Sequence, residues 1–235
     1  MNKAGINQIQ RFNGGISTAA ANDGVSYHYP YPDPLKAYVY FNDFINFTAT
    51  DWTITETQAG ATQALQDGAG GQLLLTNTAA DNDQIALQLV PESFRLSALK
   101  RCWFECRFQV SDATQVDWFL GLVITDTSVI AGFTDGIGFR KDDGDTQIDF
   151  TSLKNSAGST STNIATFTAA TFTTVGFFFD GNSGCRLYVD GLQRGFINPI
   201  TFVDDEDLTP TIVLQNGEAV AKTMTVDYIL AAVER

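Results

Sequence analysis

The stretch RCWFECRFQV, residues 101–110, constrains the fold more than any other part of the chain. Cys102, Phe104, Cys106, Phe108 and Val110 alternate with Arg101, Trp103, Glu105, Arg107 and Gln109. A period of two marks a half-buried strand. Short apolar segments of the same kind recur from Tyr38 onward, among them AYVYF, GQLLLTN, QIALQLV, WFLGLVIT, GIGFRK, TQIDFTS, TVGFFFD, CRLYVDG, TPTIVLQN and KTMTVDYILAAV. Clusters of Gly, Asn, Asp and Ser divide them, and that punctuation predicts about a dozen strands in an all-β fold. Only PESFRLSALKR offers a helical turn, and the absence of β-α-β alternation disfavours an α/β enzyme.

One domain is enough for this pattern. A two-sheet antiparallel β-sandwich is expected over residues 37–235, with 18 Phe supplying its core. Residues 1–36 differ, being rich in Gly, Asn, Ser and Ala before the proline-spaced run VSYHYPYPDP. Such a stretch cannot build a helix or a central strand. It is expected to be an extended N-terminal arm, with Phe12, Tyr27, Tyr29 and Tyr31 as partner-binding side chains.

Charge narrows the partners. With 27 Asp and Glu against 14 Lys and Arg, the formal net charge is -13, and its field repels phosphate backbones and anionic headgroups. Nucleic acid and membrane are therefore not expected partners. No apolar run of signal-peptide or membrane-span length is present, which predicts synthesis as a soluble cytosolic product. Four residues of strand put Cys102 and Cys106 about 13 Å apart, beyond the roughly 7 Å reach of a disulfide, so these thiols and Cys185 are expected to be free and buried.

The segment TVGFFFDGNSGCRLYVDG, residues 174–191, reads as a hairpin. Cys185, Leu187 and Val189 face one way and Arg186, Tyr188 and Asp190 the other, with DGNSG and Asp190-Gly191 as reversals. Together with FNDFINFTATDWTITETQ, GGQLLLTN and the closing strand MTVDYILAAV, this order of elements resembles the concanavalin A-like lectin/glucanase superfamily, in its laminin G-like branch. The resemblance covers residues 38–235 and implies a jelly roll of two curved antiparallel sheets. It implies no single function, because that fold hosts lectins, glycosidases, adhesion modules and virion proteins.

Retaining glycosidases of the superfamily carry a Glu-x-Asp-x-x-Glu strand that places two carboxylates roughly 5 Å apart. None of Glu56, Glu92, Glu105, Glu206, Glu218 and Glu234 stands in that pattern. Glu105 reads instead as part of a surface charge ladder with Arg101 and Arg107. The single histidine, His28, lies in the arm, and three distant cysteines do not make a zinc site. The chain is therefore expected not to be an enzyme.

Two binding features remain. Calcium favours clustered oxygen ligands, and Asp142, Asp143 and Asp145 in KDDGDT are the candidates, although a polar hairpin turn is the preferred reading and no cofactor is expected. Trp103 lies on the polar face of its strand, where an open ring would suit a ligand or partner, and where the arm or a loop could equally cover it.

The resulting expectation is a virion structural protein, a bacteriophage capsid decoration or cement protein on the capsid exterior. It would bind the major capsid protein as a homo-oligomer, with a trimer as one option. The alternatives are a lectin-like carbohydrate-binding module of a phage tail or fibre, and a glycosidase with a non-standard site.

Overall fold

A computed structural model describes residues 36–182, 184–198 and 202–235. Phe12, Tyr27, Tyr29 and Tyr31 lie outside the described residues. The first strand begins where the arm was expected to end, and the strands are β1 (Ala37–Asn42), β2 (Trp52–Glu56), β3 (Thr62–Gln66), β4 (Gln72–Thr76), β5 (Gln84–Leu89), β6 (Cys102–Val110), β7 (Val116–Val123) and β8 (Gly136–Lys141). They continue as β9 (Gln147–Lys154), β10 (Ala157–Thr166), β11 (Thr173–Phe179), β12 (Cys185–Val189), β13 (Leu192–Ile197), β14 (Thr209–Asn216) and β15 (Thr223–Glu234). A 3-10 turn at Ala49–Asp51 leads into β2. Among the described residues no helix is long and apolar enough to cross a membrane.

The strands form two antiparallel sheets. The first runs β13-β12-β11-β6-β15-β4-β3, and β1 pairs with β15 as an eighth strand. The second runs β10-β9-β8-β7-β14-β5-β2. β15 is long enough to serve two neighbours on one edge: Thr223–Val226 pair with β4, and Ile229–Glu234 with β1. A register shift between Val226 and Tyr228 makes Asp227 the extra residue of a bulge opposite β6.

Alternation predicts the core correctly. Cys102, Phe104, Cys106, Phe108 and Val110 of β6 turn inward with Val175, Phe177 and Phe179 of β11. The second sheet answers with Trp118, Leu120, Phe139, Phe150, Ile212 and Leu214. Aromatic rings join the layers: Phe108 meets Trp118 edge-on at 4.8 Å, and Phe150 meets Phe177 at 5.6 Å. Each buried Phe contributes on the order of 1.5–3 kcal/mol through the area it removes from water. All three cysteines are free and buried.

The hairpin chemistry also holds. Asp180 Oδ1 accepts the backbone N–H groups of Asn182 and Gly184, and Gly181 takes φ +83° in the turn. Asp190 and Gly191 both have positive φ, at 50° and 72°, as the two-residue reversal between β12 and β13 requires.

PESFRLSALKR departs from expectation, since it contains no helical turn. Phe94 and Leu96 are both buried at strand spacing, and Phe94 forms an antiparallel bridge with Leu208. Burying two side chains on one side of an extended segment outweighs a weak helical propensity. The run WTITETQ also ends sooner than expected, at Glu56, and β3 follows as a separate short strand at the sheet edge.

Candidate functional site

Side chains that alternate away from the core of the first sheet divide into a closed region and an open one. The closed region contains Trp103, which packs with Phe178, Tyr188 and Ala232, and its ring centroid lies 5.7 Å from that of Phe178. Arg101 stacks 5.5 Å from the same ring. The sequence assigns the direction of Trp103 correctly but not its environment, because the residue is only 2% exposed. Cross-strand neighbours Phe178 and Ala232 stand directly beside it, and a ring walled in this way offers no open stacking face.

The open region lies where β1, β15 and β6 run side by side. Phe41 of β1 is 47% exposed, and its centroid is 6.1 Å from that of Tyr228. Tyr228 donates its phenolic hydrogen to Glu105 Oε1 at 2.6 Å. Gly176 is the cross-strand partner of Glu105 on β11, so no side chain shields the carboxyl from that neighbour. Arg107 pairs with Asp227 and stacks 4.2 Å over the Phe172 ring. The bulge at Asp227 shifts the strand phase and so brings both Tyr228 and Asp227 to bear on β6.

The surface charge ladder expected for Glu105 is corrected by this arrangement. Glu105 is only 6% exposed, Arg101 is held by Glu234, and Arg107 is held by Asp227. Burial pushes the Glu105 carboxyl up to about 7, against the opposing pull of the Tyr228 hydrogen bond. Burial, then the Glu105 charge, pushes the Tyr228 phenol well above its ordinary value. The sequence carried one signal for these residues: in MTVDYILAAV the apolar positions change parity between Val226 and Ile229, which is the mark of a bulge.

Beyond the end of β1 an open groove of about 460 Å³ continues this surface, lined by Phe44, Ile45, Leu65, Gln66, Asp67, Gly68, Gly70 and Gly71. Asp43 joins the two, its carboxyl raised first by burial and then by the charge of Asp227. Gly71 has φ +97°, and a Cβ there would lie 2.4 Å from the Phe44 carbonyl oxygen, so only glycine allows this close approach.

The calcium candidates occupy the turn between β8 and β9. Asp142 accepts the Arg140 guanidinium at 2.9 Å, Asp145 Oδ1 accepts the Gln147 N–H at 2.8 Å, and the Asp143 N–H donates to Asp117 Oδ1 at 2.8 Å. Asp142 and Asp145 therefore use their carboxylates locally. Behind it the buried Lys141 ammonium donates to the carbonyls of Thr114, Val116 and Asp142, which places a fixed cation beside these acids. Burial pushes Asp117 up to about 6, with Asp143 and Asp142 adding repulsion, and lowers Lys141. No group of three or more metal-ligating side chains comes together among the described residues.

No protein-family model matches the chain, and no curated protein matches it in sequence. Solved structures do match in shape. The endo-1,3-beta-glucanase from Streptomyces sioyaensis is similar at a TM-score of 0.59 and 13% identity, over 87% of this chain and 99% of that one. The endo-beta-1,4-glucuronan lyase of Trichoderma reesei is similar at 0.57 and 14%, over 83% and 94%. The carbohydrate recognition domain of Emp46p, in its potassium-bound form, is similar at 0.54 and 12%, over 81% and 94%.

These likenesses establish the concanavalin A-like jelly-roll fold. They also correct the expectation that the chain is not an enzyme, because the same sandwich serves a hydrolase and a lyase. Lack of one two-carboxylate strand excludes one catalytic constellation, not catalysis on this fold. The capsid-decoration expectation finds no support among them, whereas a carbohydrate recognition domain shares this fold.

Proposed function

We propose that the protein binds carbohydrate in the manner of a lectin, across the open part of the first sheet's outer face and the adjoining groove. The observation that carries this reading is the exposed Phe41 ring set beside Tyr228, Glu105 and the Arg107–Asp227 pair. A sugar presents an apolar C–H face and a rim of hydroxyls, and a solvent-facing ring edged by fixed donors and acceptors matches both. Calorimetric titration against a panel of oligosaccharides tests it. Saturable binding that weakens at least tenfold in Phe41→Ala is expected, and absence of binding to every oligosaccharide overturns it.

One observation favours glycan cleavage as a second reading. A carboxyl pushed up to about 7 is protonated in roughly half of the molecules at neutral pH, which suits a general acid, and Glu105 has that property. Reducing-end release from a polysaccharide, lost in Glu105→Gln while binding persists, is the result this reading expects. Turnover unchanged by that substitution removes Glu105 from the chemistry.

A further inference from the structure

A second concentration of chemistry lies at the end of the sandwich where β1 and β6 begin and β15 finishes. There a cleft of about 220 Å³ is lined by Tyr38, Ser93, Arg95, Ser97, Lys100, Asp207 and Glu234. In a chain of net charge -13 this is an unusual neighbourhood, because Lys36, Arg95, Lys100, Arg101 and Arg235 supply five of the 14 basic residues. β-Pairing sets Ala37 opposite Glu234, and the Arg235 N–H bonds the Lys36 carbonyl at 2.9 Å, so the fold brings both chain segments to one place.

The two carboxylates at the cleft are already engaged. Arg95 Nε lies 2.8 Å from Asp207 Oδ1. Glu234 accepts Arg101 Nε at 2.7 Å and the Arg101 backbone N–H at 2.8 Å, and the guanidinium holds its carboxyl below the usual range. Two cations are left over. Neither Lys100 nor Arg235 is paired with a carboxylate among the described residues, and the Arg235 guanidinium stacks 4.8 Å over the exposed Tyr38 ring. Arg95 and Arg101 already offset Asp207 and Glu234, so an anion entering the cleft meets two cations that have no carboxylate partner of their own.

We propose that this cleft binds the carboxylate of an acidic sugar residue in an oligosaccharide. Lys100 within the cleft and Arg235 beside its Tyr38 wall take the carboxylate, and Ser93, Ser97, Asp207 and Glu234 offer partners for the sugar hydroxyls. Acidic side chains among the cations argue against a nucleic-acid backbone, whose closely spaced phosphates would meet both these carboxylates and the overall negative field. The proposal rests on the carbohydrate-binding reading and adds a charge preference located at a different set of residues.

Calorimetry on the full chain compares an oligoglucuronate with a neutral oligoglucoside of equal length, alongside inorganic phosphate and a single-stranded DNA oligonucleotide. The acidic oligosaccharide is expected to bind at least tenfold more tightly than the neutral one, with the preference shrinking as salt rises. Lys100→Gln combined with Arg235→Gln should abolish the preference, while Arg194→Gln, which removes an exposed charge elsewhere, should leave it intact. Matching unfolding midpoints for the variants confirm that the fold is retained. Equal affinity for both oligosaccharides overturns the charge preference and leaves carbohydrate binding standing. A preference that survives the double substitution, or binding of phosphate or DNA as tight as that of the oligoglucuronate, overturns the cleft. Binding of neither sugar overturns both readings.

Discussion

On the outer face of the second sheet, Val129 and Phe133 from the loop between β7 and β8 lie over Phe119, Val213 and Ala86, whereas on the first sheet Phe41 keeps its ring in solvent beside Tyr228. The loop is held down by polar pins: Gln88 donates to the Ile124 carbonyl at 3.0 Å and accepts the Asp126 N–H at 2.9 Å. Facing glycines Gly121 and Gly138 leave room beneath the Phe119 ring. A sheet face that the chain closes with its own loop contributes to stability. A face that leaves an aromatic ring open beside a buried acid is available for recognition.

The comparison is most severely tested by Phe119→Ala. Its ring packs edge-on against Phe133 at 5.1 Å, and its loss should cost about 3–5 kcal/mol in denaturant unfolding while sugar affinity is unchanged. Weakened sugar binding in a folded Phe119→Ala protein would break the division between the faces.

Glu105 comes next. Its carboxyl titrates near 7 in the folded protein against an ordinary value of 4.5, so between those pH values the native state holds a proton that the unfolded state has released. Stability therefore falls as pH rises through that window, by about 3 kcal/mol in all. Glu105→Gln should flatten this part of the pH profile. Tyr228→Phe removes the hydrogen bond that favours the ionised carboxylate, so the Glu105 titration followed by NMR should move higher still.

On the closed face Gly138→Ala would place a Cβ 2.6 Å from both Phe119 Cζ and the Leu120 carbonyl oxygen, and a loss of about 1–3 kcal/mol is expected in thermal unfolding. The smallest stability effect belongs to the open face. Phe41→Ala should change unfolding free energy by less than about 1 kcal/mol while lowering oligosaccharide affinity at least tenfold. A large destabilisation would mean that Phe41 is a packing residue.

Much of this fold can be read from local pattern. Period-two runs located β6 and β12, short apolar segments located β7 and β11, and the Asp-Gly pairs located reversals, because side-chain pattern and left-handed turn conformations are properties of a few consecutive residues. The candidate site was less legible. Alternation sent Trp103 and Glu105 outward, which is correct, but it carries no information about what stands on the neighbouring strand. Trp103 is walled in by Phe178 and Ala232, and Glu105 lies under Tyr228, partners 75, 129 and 123 residues away in sequence.

By itself the sequence determined an all-β sandwich, its core phase and its hairpin turns, since each depends on contacts and backbone angles close along the chain. Only the tertiary structure decided which outward side chains are open to solvent and which titrate abnormally. It alone brought Phe41, Glu105 and Tyr228 to one surface and gathered Arg95, Lys100 and Arg235 at one end. Exposure, solvation and charge density are set by strand pairing across the whole chain.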